Sequence, residues 1–125
     1  MQLSTQRKMN YRVKWGNNLG NKYRAKSTEY NGKRYHSKME AAYAAELDLR
    51  IKAKDIKAWK RQIRIPLIVS DIHVADYYID FMVEHNDGTI EYIEVKGFET
   101  PEWRLKWKIF EAMMKHSNKI LTIVK

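Results

Sequence analysis

The chain has 125 residues, with 24 lysines and arginines against 15 acids, a formal net charge of +9, and no cysteine. This length fits one domain with a single core, and the lack of cysteine excludes disulfide scaffolds, cysteine-ligated zinc and thiol catalysis. No apolar run approaches the ~18–20 residues of a membrane span, and the N-terminus lacks the apolar region of a secretory signal, so we expect a cytoplasmic protein with a polyanion as partner.

The net charge is concentrated in the first 36 residues, which hold nine lysines or arginines and one acid, Glu29. Aromatic residues are interleaved with these cations, which suits nucleic acid because cations neutralise phosphates while rings stack or pack. We predict a basic arm without regular structure at 1–25, followed by a single domain at 26–125. A solvated arm whose aromatic residues pack on the domain is the alternative. The cations expected to contact nucleic acid are Arg12, Lys14, Lys22, Arg24, Lys26, Lys33 and Arg34.

A hairpin and a helix are predicted after the arm. Asn31-Gly32 favours a tight primed turn, which indicates a hairpin over residues 28–36. Ser37 and Glu40 have the spacing of a capping box, in which each side chain bonds the backbone N–H of the other residue. The apolar stripe that follows predicts a helix over residues 38–54.

Three strands are predicted next. The β-branched residues of 61–69 indicate a strand, which Pro66 restricts to an edge or irregular position because proline cannot donate to a ladder. Segments 74–85 and 89–97 are rich in β-branched and aromatic residues. They flank the strong turn signal Asn86-Asp87-Gly88, so they predict a second hairpin.

A helix and a last strand complete the chain. Thr100, Pro101 and Glu102 have the pattern of a helix start, with an N-cap, a proline in the first position and an acid in the first turn. Apolar residues at helical spacing extend this helix to about residue 116, and the segment 119–125 predicts a short buried strand. The order of elements indicates an α/β fold in which the last strand lies parallel to a central one through a helical crossover.

The charge balance is reversed at 76–102, which holds eight acids and one cation, Lys96. These carboxylates would repel the phosphates that the arm attracts, unless a divalent cation binds both groups. Residues two apart on a strand face the same way, so Glu94 and Lys96 share a face. Pairing of the two strands across the turn would bring Asp80 close to Glu94.

Two carboxylates beside a lysine suit Mg²⁺-assisted hydrolysis of a phosphodiester. The metal polarises the phosphate and helps to deprotonate a water, while the lysine positions that water or stabilises charge on the phosphate. A salt bridge on an exposed sheet face is the alternative explanation. Glu40 would add a third acid, although the capping box alone accounts for it. Asp76 is a rival for Asp80, because it lies on the same face of its strand.

Four short motifs follow one another in the chain: Ser37-x-x-Glu40, Ile79-Asp80-Phe81, Asp87-Gly88 and Glu94-Val95-Lys96-Gly97. In this order they resemble the PD-(D/E)xK nuclease superfamily, whose signature is a helix Glu, a strand Asp and a Glu-x-Lys. More closely, residues 21–124 are similar to the phage junction-resolving endonuclease I group and to small phage nuclease-like proteins. The chain departs from the superfamily pattern at Ile79, which stands where the superfamily name has proline.

The resemblance implies an α/β fold with a restriction-endonuclease-like core, a mixed β-sheet flanked by helices. It makes Asp80 and Glu94 ligands of Mg²⁺, for which Mn²⁺ is expected to substitute, and it makes Lys96 the catalytic lysine. Glu40 becomes a catalytic acid that acts from the outer shell or on a second metal. Gln62 is a looser match to a polar active-site residue.

The activity implied by the resemblance is that of a phage-encoded, Mg²⁺-dependent endodeoxyribonuclease. It would act inside the host cell on Holliday junctions or other branched DNA, and a homodimer would let so small a domain cut two strands. Lys106, on the last helix, is expected to bind DNA near the edge of the active site. Two alternatives stay open. One is a nicking or restriction-type endonuclease of ordinary duplex, and the other is a non-catalytic DNA- or RNA-binding module whose acidic hairpin forms surface salt bridges.

Overall fold

The structure, a computed structural model, describes residues 6–9 and 27–125. In chain order the elements are β1 (Gln6–Met9), β2 (Thr28–Tyr30), β3 (Lys33–Tyr35), α1 (Lys38–Lys52), β4 (Ile56–Val69), β5 (Ile72–His85), β6 (Ile90–Val95), α2 (Pro101–Met113) and β7 (Ile120–Val124). Within these described ranges, no helix has the length and apolar character needed to cross a membrane.

Five strands form one mixed sheet in the order β1-β7-β6-β5-β4, and β2 pairs with β3 in a separate hairpin. β4, β5 and β6 are antiparallel neighbours, whereas β7 lies parallel to β6 and β1 lies parallel to β7. α2 connects β6 to β7, which confirms the predicted parallel crossover to a central strand. The described chain is therefore a mixed α/β protein.

The first hairpin and the first helix form where the sequence predicted them. Asn31 and Gly32 have φ angles of 53° and 78°, the left-handed values that a primed turn requires. The Ser37 hydroxyl accepts the Glu40 backbone N–H at 3.1 Å, which satisfies a free donor at the start of α1. α1 ends before its predicted limit at residue 54, because Lys54 adopts a φ of 62° and leaves the helix.

Two strands differ from the prediction. β4 begins at Ile56 instead of residue 61, because its 14 residues pair along β5 and this pairing outweighs the charged residues at its start. β1 lies inside the segment predicted to be an irregular arm, and its backbone pairs with β7. That pairing covers a strand edge that would otherwise be open. As predicted, Pro66 lies on an edge strand, since β4 ends the sheet.

The two helices cover opposite faces of the sheet, so adjacent residues of β6 point to different helices. Ile93 belongs to a buried cluster with α1, whereas Tyr92 packs against a second cluster with α2. The side chains that are less than 2% exposed include Leu47, Phe81 and Val83 on the α1 side and Phe110 and Leu121 on the α2 side. This arrangement confirms the prediction of a mixed sheet flanked by helices.

The long hairpin of β4 and β5 changes its packing partner at its middle. Phe81 packs in the cluster with α1, but Ile79, at the next alternate position of β5, packs in the cluster with α2. The change occurs at Asp80, which the register places opposite Gln62. Gln62 has a φ of 52°, which is uncommon for a residue with a side chain. The hairpin therefore places Asp80 at the junction between the two clusters.

The Asp48 side chain links α1 to β2 and β4 by hydrogen bonds. Its carboxylate accepts the Tyr30 hydroxyl of β2 at 2.6 Å and the Trp59 indole N–H of β4 at 3.0 Å.

We expect Asp48→Ala to lower the free energy of unfolding by about 2–3 kcal/mol, because bonds to a charged acceptor are lost and the indole N–H is left without a partner. Urea denaturation measures this change, and Glu46→Ala, at an exposed position of the same helix, is the control. Equal stability of the two variants would contradict this role.

Candidate active site

Three acidic side chains are buried in one region of the molecule, at the start of α1 and on the neighbouring strands β5 and β6. Glu40 is 5% exposed, Asp80 8% and Glu94 4%. Acidic residues are almost never fully buried unless they are paired or coordinate a metal. These three residues, called the carboxylate cluster below, therefore need an explanation.

Asp80 and Glu94 lie together because β5 and β6 pair in the register that the turn sequence implied. Phe81 lies opposite Ile93, which places Asp80 beside Glu94 across the ladder. The Asp80 carboxylate also accepts the backbone N–H of Val95 at 2.9 Å. The structure thus contains the convergence expected from the sequence, and the burial of both acids does not fit a salt bridge on an exposed face.

Glu40 takes part in the capping of α1 and also belongs to the carboxylate cluster. Its Oε1 accepts the His36 backbone N–H at 3.0 Å, next to the Ser37 cap. Its side chain also interacts with Asp80 and helps to raise the pKa of that acid. The capping explanation and the cluster are therefore compatible, since the two oxygens of a carboxylate can accept several hydrogen bonds.

The surroundings of Asp80 and Glu94 favour the protonated forms of these two acids. Burial raises the pKa of Asp80 well above its ordinary value of 3.8, and the nearby carboxylates of Glu94 and Glu40 add to this effect. Burial also raises the pKa of Glu94 to about 7, although Lys96 and the Tyr77 hydroxyl act in the opposite direction. Acids in such a setting retain their protons until a cation takes the place of those protons.

Lys96 lies beside the carboxylate cluster, two positions after Glu94 on the same face of the sheet. Its Nζ is 3.7 Å from Glu94 Oε2 and 5.0 Å from the centre of the Trp103 ring. The side chain is 23% exposed, so the ammonium group can contact a ligand at the surface. The carboxylate and the aromatic ring together restrict where that ammonium group lies.

Two residues of the site were missed by sequence reasoning. The Tyr77 hydroxyl donates to Glu94 Oε1 at 2.9 Å and accepts the Trp103 indole N–H at 3.0 Å. The helical spacing of Trp103 indicates only a core residue. Nothing in the sequence pairs it with Tyr77, 26 positions earlier. The one available signal is general: buried tyrosine and tryptophan usually find a hydrogen-bond partner.

Gln62 lies on β4, half-buried and opposite Asp80. Its left-handed φ of 52° lies inside a strand that continues on both sides, and backbone strain of this kind tends to gather at functional sites. The structure thus places the looser of the predicted site residues on the strand next to the carboxylate cluster.

The predicted nucleic-acid contacts fall into three groups. Lys33 and Arg34 are exposed on β3, close in sequence to the start of α1. Lys106 is instead held by the protein, with its Nζ 3.2 Å from the Asp76 carbonyl oxygen and 3.5 Å from a Glu102 carboxylate oxygen. The remaining predicted contacts lie outside the described residues: Arg12, Lys14, Lys22, Arg24 and Lys26.

Asp76, the rival of Asp80, has other partners. Its carboxylate lies 3.1 Å from Arg64 Nε and 2.7 Å from His73 Nε2. Hydrogen bonds from Arg64 and His73 hold the pKa of Asp76 below its ordinary value, the opposite direction to that of Asp80. Asp76 is therefore a paired surface carboxylate, and Asp80 is the acid that shares a site with Glu94.

The donor set of the carboxylate cluster fits a hard divalent cation. Among residues 6–9 and 27–125, no group of three or more His, Cys, Asp or Glu side chains is arranged to hold a metal ion. Mg²⁺ needs no such cage, because it keeps several waters and binds through one or two carboxylates plus substrate phosphates. Asp80 and Glu94 supply two carboxylates, and their raised pKa values mean that burial disfavours their charged forms, which a bound cation would stabilise.

A separate depression of about 410 Å³ lies near the turn of the β5–β6 hairpin. It is lined by His85, Asn86, Asp87, Thr89, Glu91 and Ile120. Glu91 already has partners there, since it lies 2.8 Å from His85 Nε2 and accepts the Thr122 hydroxyl at 2.5 Å. This acid is accounted for by contacts within the protein, so the depression is a weaker candidate than the carboxylate cluster.

Comparison with known proteins gives one match. A family model described as "Protein of unknown function (DUF1064)" matches residues 20–125. No curated protein and no solved structure matches the chain. The matched residues include the whole carboxylate cluster, together with Tyr77, Lys96 and Trp103.

Proposed function

The chain belongs to the family described as Protein of unknown function (DUF1064), and we propose that it is a Mg²⁺-dependent endodeoxyribonuclease with a restriction-endonuclease-like core. The observation that carries this proposal is the buried carboxylate cluster with Lys96 beside it. The mixed sheet flanked by helices and the order of the motifs along the chain support the choice of core.

The carboxylate cluster has no evident structural purpose beyond the helix cap. The three acids are each less than a tenth exposed, and burial disfavours the charged forms of Asp80 and Glu94. Apolar residues of similar size in such a place often leave a protein equally stable or more stable. Strongly shifted pKa values, produced by burial and by specific charged neighbours, are typical of functional sites. A function that uses the charges explains why the cluster is present.

The residues of the site have distinct proposed roles. Asp80 and Glu94 would hold a Mg²⁺ ion, which when bound polarises the scissile phosphate and makes a water a better nucleophile. Lys96, with its ammonium group 3.7 Å from Glu94, would donate hydrogen bonds to that water or to a phosphate oxygen and so stabilise developing negative charge. Glu40, whose side chain interacts with that of Asp80, would accept hydrogen bonds from the surrounding water or act as a ligand of a second ion.

DNA is the proposed substrate because cations lie close to the site in the chain. Lys33 and Arg34 are exposed on the strand that precedes α1, and the first 36 residues hold nine lysines or arginines against one acid. Contacts of this type bind backbone phosphates without reading sequence. We take a four-way junction or another branched DNA as the preferred form, cut by a homodimer. This finer choice rests on the resemblance to phage junction-resolving nucleases.

Incubation of the full chain with supercoiled plasmid tests the activity. Nicked or linear plasmid is expected with Mg²⁺ or Mn²⁺, and unchanged plasmid is expected with EDTA. A synthetic four-way junction and a linear duplex of equal length then separate the substrates. Faster cutting of the junction supports a resolvase, whereas equal rates favour a nicking or restriction-type enzyme. Binding of DNA without cleavage in either metal would replace the nuclease proposal by a non-catalytic binding module.

A further inference from the structure

We propose that Tyr77 and Trp103 are positioning residues, which hold Glu94 in the orientation that would bind the metal ion and hold Lys96 beside it. The inference rests on the proposed function and deepens it, because it assigns the metal affinity of the site partly to residues outside the carboxylate cluster. Tyr77 and Trp103 would touch neither the metal nor the DNA. They would act only through Glu94 and Lys96.

The hydrogen bonds that lead from α2 to Glu94 run in one direction. An indole N–H can only donate, so Trp103 Nε1 donates to the Tyr77 hydroxyl oxygen at 3.0 Å. Tyr77 then directs its single proton to Glu94 Oε1 at 2.9 Å. Oε1 of Glu94 is thereby held in place, and Oε2 is directed to the side where Lys96 lies.

Trp103 also contacts the lysine of the site. The Lys96 Nζ lies 5.0 Å from the centre of the Trp103 ring, a distance at which an aromatic face attracts a cation. One side chain therefore acts on both proposed functional groups. It acts on Glu94 through a hydrogen bond to Tyr77, and on Lys96 through the face of its ring.

The two positioning residues are themselves fixed by the packing around them. Tyr77 is 4% and Trp103 8% exposed, and the Trp103 ring stacks on Trp107 with the ring centres 5.9 Å apart. The Trp103 backbone N–H is bound by the Thr100 hydroxyl at the start of α2, at 3.1 Å. The predicted cap at Thr100 thus fixes the position of the Trp103 indole. The indole N–H in turn fixes the position of the Tyr77 hydroxyl.

A purely structural role for the same hydrogen bonds makes a different prediction. Buried tyrosine and tryptophan usually have partners whatever their function. If the bonds served stability alone, their removal would lower the melting temperature and leave metal binding unchanged. If they position Glu94, their removal weakens metal binding, because groups that orient a metal ligand typically change metal affinity or activity by roughly 10–100-fold.

Mn²⁺ binding to the full chain, measured by calorimetry without DNA, separates these two roles. Tyr77→Phe deletes one hydroxyl and is expected to weaken Mn²⁺ binding by roughly 10–100-fold. Trp103→Phe keeps a ring near Lys96 but removes the indole N–H, so a smaller loss is expected. Tyr92→Phe, at a half-buried tyrosine that packs on Phe110, is the matched control and should bind Mn²⁺ as the wild type does. In cleavage assays, Tyr77→Phe should need more Mg²⁺ and recover most of its rate at saturation.

Two outcomes would overturn the inference, and they can be told apart. If the wild type binds Mn²⁺ and Tyr77→Phe binds it equally well, the positioning role is wrong while the proposed function stands. If the wild type neither binds Mn²⁺ nor cuts plasmid, the proposed function fails and the positioning role fails with it. Weaker binding by Tyr77→Phe with unchanged binding by Tyr92→Phe supports the inference.

Discussion

Asp80→Asn is expected to reduce Mg²⁺-dependent plasmid cleavage by about 10³-fold or more, because the metal loses a charged ligand and the reaction loses the charge stabilisation that the ion supplies. Asparagine keeps the size of the side chain and can still accept the Val95 N–H, which Asp80 binds at 2.9 Å. A loss of cleavage would therefore come from the missing charge and not from a changed fold. Initial rates of supercoiled-plasmid conversion at saturating Mg²⁺ measure the effect.

Asp76→Asn is the matched control for this experiment. It makes the same chemical change four residues earlier on the same strand, where the carboxylate is bound by Arg64 and His73. The control should cut at nearly the wild-type rate. If Asp80→Asn cuts at the wild-type rate, Asp80 is not a ligand of the metal. If only Asp76→Asn loses cleavage, Asp76 is the ligand instead.

Glu94→Gln is expected to stabilise the metal-free protein at pH 8 by about 1–3 kcal/mol. Burial raises the pKa of Glu94 from its ordinary value of 4.5 to about 7, so the folded protein holds this proton more tightly than the unfolded chain. The stability gained from the bound proton is complete below pH 4.5 and is lost as the pH rises through 7. Glutamine cannot lose a proton, and its side-chain oxygen can still accept the Tyr77 hydroxyl. The loss of the ion pair with Lys96 offsets part of the gain.

Urea denaturation in EDTA, at pH 4.5 and at pH 8, measures this second effect. The difference in unfolding free energy between Glu94→Gln and the wild type should be small at the lower pH and should grow as the pH rises. Glu84→Gln is the control, since Glu84 is partly exposed and lies 3.5 Å from Lys57. A difference that does not change with pH would contradict a destabilising buried carboxylate at position 94.

The parts of the fold that depend on local chemistry could be predicted from the sequence. Asn31-Gly32 specifies a primed turn, and Ser37 and Thr100 cap their helices through side-chain oxygens. The meeting of Asp80 with Glu94 could also be predicted. A tight turn fixes the register of a hairpin, and the two-residue period of a strand decides which side chains face each other.

The parts that depend on packing between distant segments could not be predicted. The hydrogen bond from Trp103 to Tyr77 exists only because α2 lies against one face of the sheet, and no local pattern encodes that contact. The left-handed φ of Gln62 is a similar case, since a glutamine in a strand gives no sign of it. β1 was missed because its pairing depends on the open edge of β7 and not on its own four residues.

The bonds that lead from Trp103 to Glu94 also have a consequence for the order of folding. Tyr77 forms hydrogen bonds with residues 17 and 26 positions further along the chain. Closing loops of this length costs the chain conformational entropy before the packing energy is gained. During synthesis Asp80, Glu94 and Lys96 leave the ribosome before α2 and β7, the segments that complete the α2 side of the sheet. A nascent chain would therefore contain every proposed functional group without the tryptophan that arranges them. The proposed ability to cut DNA would come only after α2 and β7 have joined the sheet.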